Sequence, residues 1–464
     1  MAINWNEPVF GEDEIRIVTA VLKSGYVSEG PKTKGLEEKL AKIVGTKHVI
    51  MTTSCTAALY LAIEADKRIR GYNSGRVAIP ALTFVGTKNA VEMAGLNTEI
   101  HDVNKWRFLM NDIDLSGEKI IIPVSLLGRQ TKDIIAYHDH GYDRPTVICD
   151  NAGSLGSKVD NGKVGCYSLQ GNKIISCGQG GFCATDSDEY AKEIRKLKDF
   201  GREHKEDNRS EGFNLKFNDI LAAVTLGQLE GLEGRKQYAM EQFAAYFSYL
   251  DILNAKMIEY KTDEIPLWIE FMAEGCRDEL FKYLKGNGIN CKKPWKPLVD
   301  LENSKYYSDN CIWLPNGRNV GFGDIQKVCE TIKEYYKCNI KPKPKMKLKV
   351  VSEDERGKIT IVDGMLPDNK EFTILTIKKG KARGGCIHKD HHEYFTVIKG
   401  RMNVYIGNGQ ELYCQGMSGS IGKSEAHAFV AIDDTVVIEW GVPKSDKDNY
   451  DPEMRAMVNK INSK

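Results

Sequence analysis

VICDNAGSLG at residues 147–156 and YSLQGNKIISCGQGG at residues 167–181 carry the clearest architectural signal in this sequence. In the first stretch an apolar run of strand length ends in Asp150, and Gly and Ser residues follow it. In the second stretch Lys173 lies between Ser168 and a Gly-rich turn. Because ligands of open α/β sheets bind beyond the carboxyl ends of the strands, the first stretch predicts a carboxylate at a ligand site. A lysine buried nearby has a lowered pKa and is a candidate nucleophile.

The sequence around these stretches alternates short apolar runs with amphipathic segments. Residues 77–80, 119–124 and 146–149 have strand patterns, and residues 35–44 and 56–65 have helical patterns. Such alternation predicts an α/β layered domain with a mainly parallel sheet. The helical pattern continues more sparsely towards residue 336, which predicts a smaller α+β lobe.

The chain is long enough for several folding units, since its 464 residues exceed the size at which one core keeps growing. Residues 341–349 read KPKPKMKLK, where prolines block regular helix and repeated positive charge favours an extended linker. Beyond it, short alternating segments separated by Gly-containing turns predict a small antiparallel β-barrel or sandwich. The predicted boundaries are a large α/β domain at 1–237, a small α+β lobe at 238–340, a linker at 341–350, a β-barrel at 351–445 and a C-terminal tail at 446–464.

Composition argues against several classes of protein. Lys and Arg number 65 against 64 Asp and Glu, so the net charge of +1 gives no bulk attraction to nucleic acid or to an anionic membrane. The first residues lack the features of a signal peptide, and no segment has the roughly 18 apolar residues of a membrane span, which predicts a cytosolic protein. The 12 cysteines contain no Cys-x-x-Cys pair, which disfavours disulfides and zinc sites.

An anion site is predicted at residues 52–62, which read TTSCTAALYLA. The hydroxyl residues Ser54 and Thr56 precede an Ala- and Leu-rich helix, whose first-turn N–H groups can hold a phosphate. Each signal alone has a simpler explanation. Lys173 is then a surface lysine, Asp150 a turn residue, and the two hydroxyls helix caps.

Taken together and in this order, the residues resemble the DegT/DnrJ/EryC1/StrS family of sugar aminotransferases over residues 4–337. Asp150, Ser168, Lys173 and the turn Gly178-Gln179-Gly180-Gly181 carry the resemblance. It implies the fold of type I pyridoxal phosphate-dependent transferases, with a large parallel-sheet domain and a small α+β lobe. It also implies pyridoxal 5'-phosphate as cofactor. In such enzymes the Asp contacts the pyridine nitrogen, the Ser contacts the phosphate, and the Lys holds the cofactor as an imine and moves the proton.

The resemblance extends to further cofactor contacts. It implies that Ser54, Cys55 and Thr56 bind the phosphate, although Cys55 stands where relatives have Gly. It implies that Phe84 stacks on the cofactor, the alternative being a buried core ring. A second departure is Gly153, since relatives carry Gln, His or Glu three residues after the Asp.

Other resemblances concern a neighbouring subunit and the substrate. Asn214, in a stretch that resembles the family's Asn-containing loop, is expected to reach the cofactor phosphate of a second subunit, which implies a homodimer with a shared active site. Its alternative is a helix cap or turn residue. Glu7, Tyr26 and Ser28 resemble the family's substrate-side N-terminal loops.

The implied reaction transfers an amino group from glutamate to a nucleotide-linked ketosugar, expected to be a 4-keto-6-deoxy sugar, for glycan biosynthesis. The dehydrating branch of the family replaces the lysine with histidine, so Lys173 argues against that chemistry. The position of the keto group stays open. A non-catalytic, cofactor-binding regulator is the non-enzyme alternative.

Two C-terminal stretches resemble the motifs of a cupin barrel. Residues 385–400 read GCIHKDHHEYFTVIKG, and residues 416–430 contain one further histidine. The candidate ligands of a divalent metal are His388, His391 or its neighbour His392, Glu393 and His427. Their spacing is irregular for a cupin. Two alternatives are open: a metal-free ketosugar isomerase or epimerase, which would make the enzyme bifunctional, and a binding or structural barrel.

Overall fold

The computed structural model describes the chain except residues 1, 111–116, 132–144, 205, 207–209, 251–255, 340–346, 364–369, 408, 444–449 and 464. The chain divides into two compact units, Met1–Lys337 and Cys338–Lys464. Residues 341–346 of the predicted linker at 341–350 lie outside the described residues, and the prediction is wrong for 347–350, which belong to a strand that begins at Lys347. Within the described ranges, no helix has both the length and the apolar character needed to cross a membrane.

The first unit contains ten helices and ten strands among its described residues. The helices are α1 (Glu12–Ser24), α2 (Pro31–Val44), α3 (Cys55–Arg70), α4 (Val85–Met93), α5 (Asp188–Lys198), α6 (Asp219–Glu230), α7 (Leu232–Leu250), α8 (Arg277–Gly286), α9 (Glu302–Asn310) and α10 (Phe322–Asn339), the last running past the boundary. The strands are β1 (His48–Thr52), β2 (Arg76–Pro80), β3 (Asn97–His101), β4 (Glu118–Ile121), β5 (Thr146–Asp150), β6 (Val164–Ser168), β7 (Gly181–Thr185), β8 (Lys256–Met257), β9 (Ile269–Met272) and β10 (Cys311–Leu314).

A seven-stranded sheet in the order β1-β7-β6-β5-β4-β2-β3 forms the centre of this unit. Strand β7 is antiparallel to both of its neighbours, and the other pairs are parallel. The predicted α/β fold with a mainly parallel sheet is therefore confirmed. Helix α3 packs its apolar side chains, among them Leu61 and Ile63, against the sheet residues Ile79 and Ile148. Strands buried on both faces read as continuous apolar runs, as β6 and β7 do.

The smaller lobe contains an antiparallel sheet in the order β10-β9-β8. Its core includes Ile269 and Phe271 from β9, Leu280 from α8 and Ile332 from α10. The sequence pattern predicts helices over residues 277–287 and 324–336, and α8 and α10 occupy these positions. The pattern also predicts a helix over residues 241–253; α7 begins earlier, at Leu232 just after α6, and residues 251–253 lie outside the described part of the chain.

The second unit consists of two antiparallel sheets. Its strands are β11 (Lys347–Asp354), β12 (Gly357–Asp363), β13 (Lys370–Ile377), β14 (Ala382–Ile387), β15 (Glu393–Lys399), β16 (Arg401–Ile406), β17 (Gly409–Cys414), β18 (Ser418–Ile421), β19 (Ala426–Ala431) and β20 (Thr435–Pro443). The sheet orders are β11-β12-β13-β20-β15-β18 and β14-β19-β16-β17. Phe395 of β15 and Phe429 of β19 belong to one core that both sheets build.

The C-terminal tail is folded onto the second unit. Helix α11 (Pro452–Asn462) starts at Asp451, whose carboxylate accepts a hydrogen bond from the backbone N–H of Met454. Met454 and Val458 pack against Ala382 and Ala428 of the four-stranded sheet. The predicted tail is thus part of the β unit, because α11 has an apolar face that the sheet covers.

Candidate active site

A cavity of about 450 Å³ lies in the first unit, and residues that follow β2, β4, β5 and β6 line it. Parallel strands end at one edge of their sheet, so their following residues meet there. The cavity lining includes seven residues that the sequence singles out: Ser54, Cys55, Thr56, Phe84, Asp150, Ser168 and Lys173.

Asp150, the last residue of β5, presents a buried carboxylate to the cavity. Its Oδ2 accepts a hydrogen bond from the Thr87 hydroxyl at 2.6 Å, and its Oδ1 accepts one from the backbone N–H of Ala152 at 3.1 Å. Burial raises the pKa of Asp150, and the two hydrogen bonds and the amine of Lys173 oppose that rise. The site therefore holds a carboxylate ready to accept a proton or to pair with a cation.

Lys173 lies in the loop between β6 and β7. The loop is fixed by backbone hydrogen bonds from Lys173 N–H to the Gln170 carbonyl at 2.9 Å and from Leu169 N–H to the Gly180 carbonyl at 2.9 Å. The amine of Lys173 lies 5.4 Å from the centre of the Trp268 ring. Burial lowers the pKa of Lys173, which favours the neutral amine and makes it a better nucleophile.

The start of α3 forms an anion cradle. Ser54 is the N-cap residue, and its hydroxyl accepts a hydrogen bond from the backbone N–H of Ala57 at 3.1 Å. The hydroxyls of Ser54, Thr56 and Ser168 line the same cavity. Gly181 approaches the cradle so closely that a Cβ there would lie 2.4 Å from the backbone nitrogen of Cys55. Hydroxyls and a helix N-terminus together suit a phosphate group.

Aromatic rings form another part of the cavity wall. Phe84, Trp268 and Trp295 line the cavity, with ring centres 5.6 Å apart between Phe84 and Trp295 and 5.7 Å apart between the two tryptophans. Phe84 is 55% exposed, so the alternative of a buried core ring is wrong. The exposed ring is free to stack on a planar ligand.

Gly153 has close neighbours that crowd any Cβ placed there. A Cβ on Gly153 would lie 3.3 Å from the backbone nitrogen of Leu127 and 3.3 Å from the side chain of Leu267. Leu127 itself adopts a left-handed backbone conformation, with φ of 54°, in the turn Leu126–Gly128. That turn fills the space beside Gly153.

Four predicted residues do not line this cavity. Asn214 is exposed, and it pairs with Asp199 in an isolated β-bridge. Tyr26 is 70% exposed, and Ser28 is exposed in the same loop. Glu7 lines a smaller cavity of about 60 Å³, which Lys173 also borders. The roles implied for these four residues stay predictions.

Three residues of the cavity wall, Thr87, Trp268 and Trp295, were not predicted from the sequence. Thr87 lies in the first turn of α4, three residues after Phe84. Residues three apart at a helix start lie on the same side, so this spacing indicates that the Thr87 hydroxyl is near the ligand of Phe84. The two tryptophans come from distant parts of the small lobe, and no local pattern marks them as site residues.

A buried ion pair lies next to the cavity wall. Arg129 follows the turn Leu126–Gly128 and pairs with Glu270 of β9, and both side chains are fully buried. Tyr260 donates a hydrogen bond to Glu270 at 3.0 Å, and Tyr307 donates another. The network connects strand β9 with the loop that follows β4. Trp268 directly precedes β9.

Replacing Arg129 with Met is expected to lower the free energy of unfolding by about 3–5 kcal/mol, because Glu270 is left as a buried, uncompensated charge. Denaturant unfolding followed by tryptophan fluorescence measures the loss. The double variant Arg129→Met/Glu270→Met is the control, and it should recover part of the stability since no charge stays unpaired. A single variant as stable as the parent would contradict the assignment.

The second unit has its own polar cluster. Nε2 of His388 lies 3.2 Å from Glu393 Oε2, and Nε2 of His427 lies 2.8 Å from the same oxygen. All three side chains are buried, and one ligand atom from each lies within 4.8 Å of the others, which suits a metal ion. Burial alone raises the pKa of Glu393, but the imidazole hydrogen bonds lower it to about 2.

Of the four predicted ligands, His391 does not belong to this group. His388 directly follows β14 and Glu393 begins β15, so both lie at strand ends, whereas His391 lies in the turn between them. The cluster borders a cavity of about 320 Å³, whose wall also contains Arg356, Arg383 and Arg455.

Comparisons with known proteins concern the first unit. Residues 8–333 match the DegT/DnrJ/EryC1/StrS aminotransferase family. A DegT DnrJ EryC1 StrS aminotransferase from Brucella abortus is 25% identical, with a TM-score of 0.62 over 70% of this chain and 95% of that one. The sugar aminotransferase candidate Spr1654 of Streptococcus pneumoniae, solved in its PLP form, is 22% identical, with a TM-score of 0.65 over 73% and 99% of the two chains. DesI, solved in the presence of its TDP-sugar product, is 20% identical, with a TM-score of 0.63 over 72% and 92%.

Proposed function

The chain belongs to the DegT/DnrJ/EryC1/StrS aminotransferase family, and from this premise we propose that it transfers an amino group from glutamate to a nucleotide-linked ketosugar for glycan biosynthesis. Pyridoxal 5'-phosphate is the proposed cofactor. One observation carries the proposal: Lys173, Asp150 and the hydroxyls of Ser54 and Thr56 line a single cavity. An amine, a carboxylate and an anion cradle are the three groups that this cofactor requires of a protein.

The donor set fits the cofactor. Lys173 supplies the amine for covalent attachment, and Asp150 supplies a carboxylate to pair with a protonated ring nitrogen. Ser54, Thr56 and Ser168 supply hydroxyls for the phosphate. When bound, the cofactor supplies an electron sink for the substrate carbon that gains or loses the amine.

The residues of the chain have different roles in this reaction. Asp150 is held at a fixed position by hydrogen bonds from Thr87 and Ala152. Lys173 has a pKa that burial lowers, so its amine both takes and returns the proton at the reacting carbon. Backbone hydrogen bonds of its loop hold Lys173 at the wall of this cavity.

The substrate class is proposed from the family and from one structural relative. DesI was solved in the presence of its TDP-sugar product, and sequence resemblance favours 4-keto-6-deoxy sugars for this chain. The test is a mass-spectrometric screen of glutamate-dependent amination against nucleotide-linked 3-keto and 4-keto sugars. A mass change that corresponds to replacement of a keto oxygen by an amine is expected with a 4-keto sugar. No product with any ketosugar would contradict the proposal.

We propose that the active unit is a homodimer with a shared site. The support is that Asn214 is exposed and outside the cavity of its own chain, as expected of a residue that serves a partner's cofactor. Tyr26 is 70% exposed and is available to the same interface. Light scattering should give twice the chain mass, and Asn214→Ala should weaken cofactor binding without changing the fold.

The second unit supports a second candidate function. We propose that it isomerises or epimerises a ketosugar, with His388, Glu393 and His427 as acid and base groups. The observation that favours this is the polarity of the cavity: the His–Glu–His cluster lies at one part of its wall, and Arg383 at another. Arg383 is 4% exposed; its Nη2 pairs with Asp354 at 2.9 Å, whereas its Nε has no hydrogen-bond partner among the described residues. An arginine in such a position suits an anionic group on the ligand. A divalent metal held by the same three side chains is the competing proposal.

Glu393→Gln separates a ketosugar activity of the second unit from the aminotransferase activity of the first. Because the amide removes the charge that both imidazoles share, interconversion of the ketosugar, followed by NMR, is expected to fall by about 10²–10⁴-fold. Amination by the first unit should persist. Metal analysis of the parent decides between acid–base and metal chemistry. Unchanged ketosugar signals with the parent protein would contradict a second activity.

A further inference from the structure

The indole N–H of Trp268 has no hydrogen-bond partner in the part of the chain that the structure describes. The side chain is 5% exposed, and it lines the same cavity as Lys173. Buried indole N–H groups usually find a partner, and an unpaired buried donor requires an explanation. Because this donor belongs to the wall of a ligand cavity, the simplest explanation is an acceptor on the ligand.

The position of Trp268 is fixed by its surroundings. Its ring centre lies 4.4 Å from that of Trp313 and 5.0 Å from that of Trp5. Two residues later, Glu270 is held by Arg129 and by the tyrosines around it. A donor on so rigid a support is positioned before the ligand arrives, which reduces the ordering cost of binding.

The chemistry of the wall indicates which ligand the N–H meets. No arginine is among the described residues that line this cavity, and its one cationic side chain is Lys173. Besides the amine of Lys173, which lies 5.4 Å from its ring, Trp268 has an aromatic neighbour in this wall, with the Trp295 ring centre 5.7 Å away. Carboxylates favour charged partners, whereas a sugar offers neutral hydroxyl and carbonyl acceptors together with C–H faces that pack on aromatic rings.

We propose that Trp268 is a specificity-determining residue that donates its indole N–H to an oxygen of the sugar acceptor, with Trp295 providing an aromatic face for the same sugar. The proposal rests on the aminotransferase function and assigns the acceptor subsite within it. The amine of Lys173 lies 5.4 Å from the Trp268 ring, so a sugar held there has its keto carbon near the residue that moves the proton.

Trp268→Phe keeps an aromatic ring and removes the donor. The matched control is Trp5→Phe, which keeps an aromatic ring packed against Trp268: Trp5 is 8% exposed, also has an unpartnered Nε1 among the described residues, and does not line the cavity. Both variants are tested as holoenzymes. Absorbance of the bound cofactor follows the half-reaction with glutamate and the half-reaction with the ketosugar separately, and calorimetry measures the Kd of the aminosugar product.

Trp268→Phe is expected to raise the Kd of the aminosugar and the half-saturating ketosugar concentration by about tenfold, the loss of one hydrogen bond. The glutamate half-reaction and the Trp5→Phe variant should match the parent. Deoxy analogues of the ketosugar provide a second test, since the analogue that lacks the accepting oxygen should bind parent and Trp268→Phe equally.

Three results would overturn the proposal: equal weakening of both half-reactions, equal effects of Trp268→Phe and Trp5→Phe, or no effect of Trp268→Phe on the sugar. Failure of the proposed function is distinguishable. In that case the parent reacts with glutamate but with no ketosugar. The role proposed for Trp268 is then wrong as well.

Discussion

Replacing Lys173 with Ala is expected to lower the rate of amino transfer by about 10²–10⁴-fold, the usual contribution of a positioned acid–base group. The variant loses both the amine that attaches the cofactor and the group that moves the proton. Stopped-flow absorbance measures the loss in each half-reaction. The fold should be unaffected, because Lys173 bonds to its loop through its backbone N–H, which alanine keeps.

Two controls separate chemistry from structure in the Lys173 variant. Lys173→Arg keeps a long basic side chain near Trp268 but has no amine that can attach the cofactor, so it should be as inactive as Lys173→Ala. Added methylamine should restore part of the activity of Lys173→Ala, because it replaces the missing base. A Lys173→Ala variant with the parent's turnover would contradict the mechanism.

Replacing Asp150 with Asn is expected to lower turnover by about 10²–10³-fold, the size of a lost electrostatic contact in an active site. The amide keeps the shape of the side chain and its contact with Thr87, but it removes the charge that stabilises a protonated ring nitrogen. The cofactor should still attach to Lys173, so attachment and turnover separate in this variant. Turnover close to that of the parent would contradict the assigned role.

Thr87→Val is expected to have a smaller effect than Asp150→Asn, because it removes only a hydrogen bond to the carboxylate. The Thr87 hydroxyl donates to Asp150 at 2.6 Å and favours its charged form, which opposes the rise in pKa that burial causes. Without that hydroxyl the pKa of Asp150 rises further. The acid limb of the rate profile should therefore move to higher pH, with little change on the alkaline side. An unmoved acid limb would show that Asp150 does not set it.

The large-domain half of the site is predictable from sequence because each residue follows its own strand or begins its own helix. Asp150 ends β5, Ser168 ends β6, and Ser54 caps α3. In a parallel sheet those positions meet at one edge, so a local sequence pattern predicts which side chains lie close together in space. Lys173 has no such strand position, and only its order relative to the other residues identified it.

The rest of the site depends on tertiary packing. Trp268 and Trp295 reach the cavity because the small lobe folds back onto the sheet edge. The Arg129–Glu270 ion pair holds β9 against the loop that follows β4. Nothing in the sequence near Trp268 indicates this. In the second unit the sequence does not distinguish His388 from His391, since strand register decides which imidazole reaches the cluster with Glu393.

The most direct test of the central claim is reduction of the holoenzyme with borohydride, followed by proteolysis and mass spectrometry of the peptides. Borohydride fixes a reducible cofactor–amine bond permanently. We expect the cofactor mass on the peptide that contains Lys173 and on no other lysine. Lys173→Ala should give no labelled peptide. Label on a different lysine, or a labelled peptide from Lys173→Ala, would contradict it.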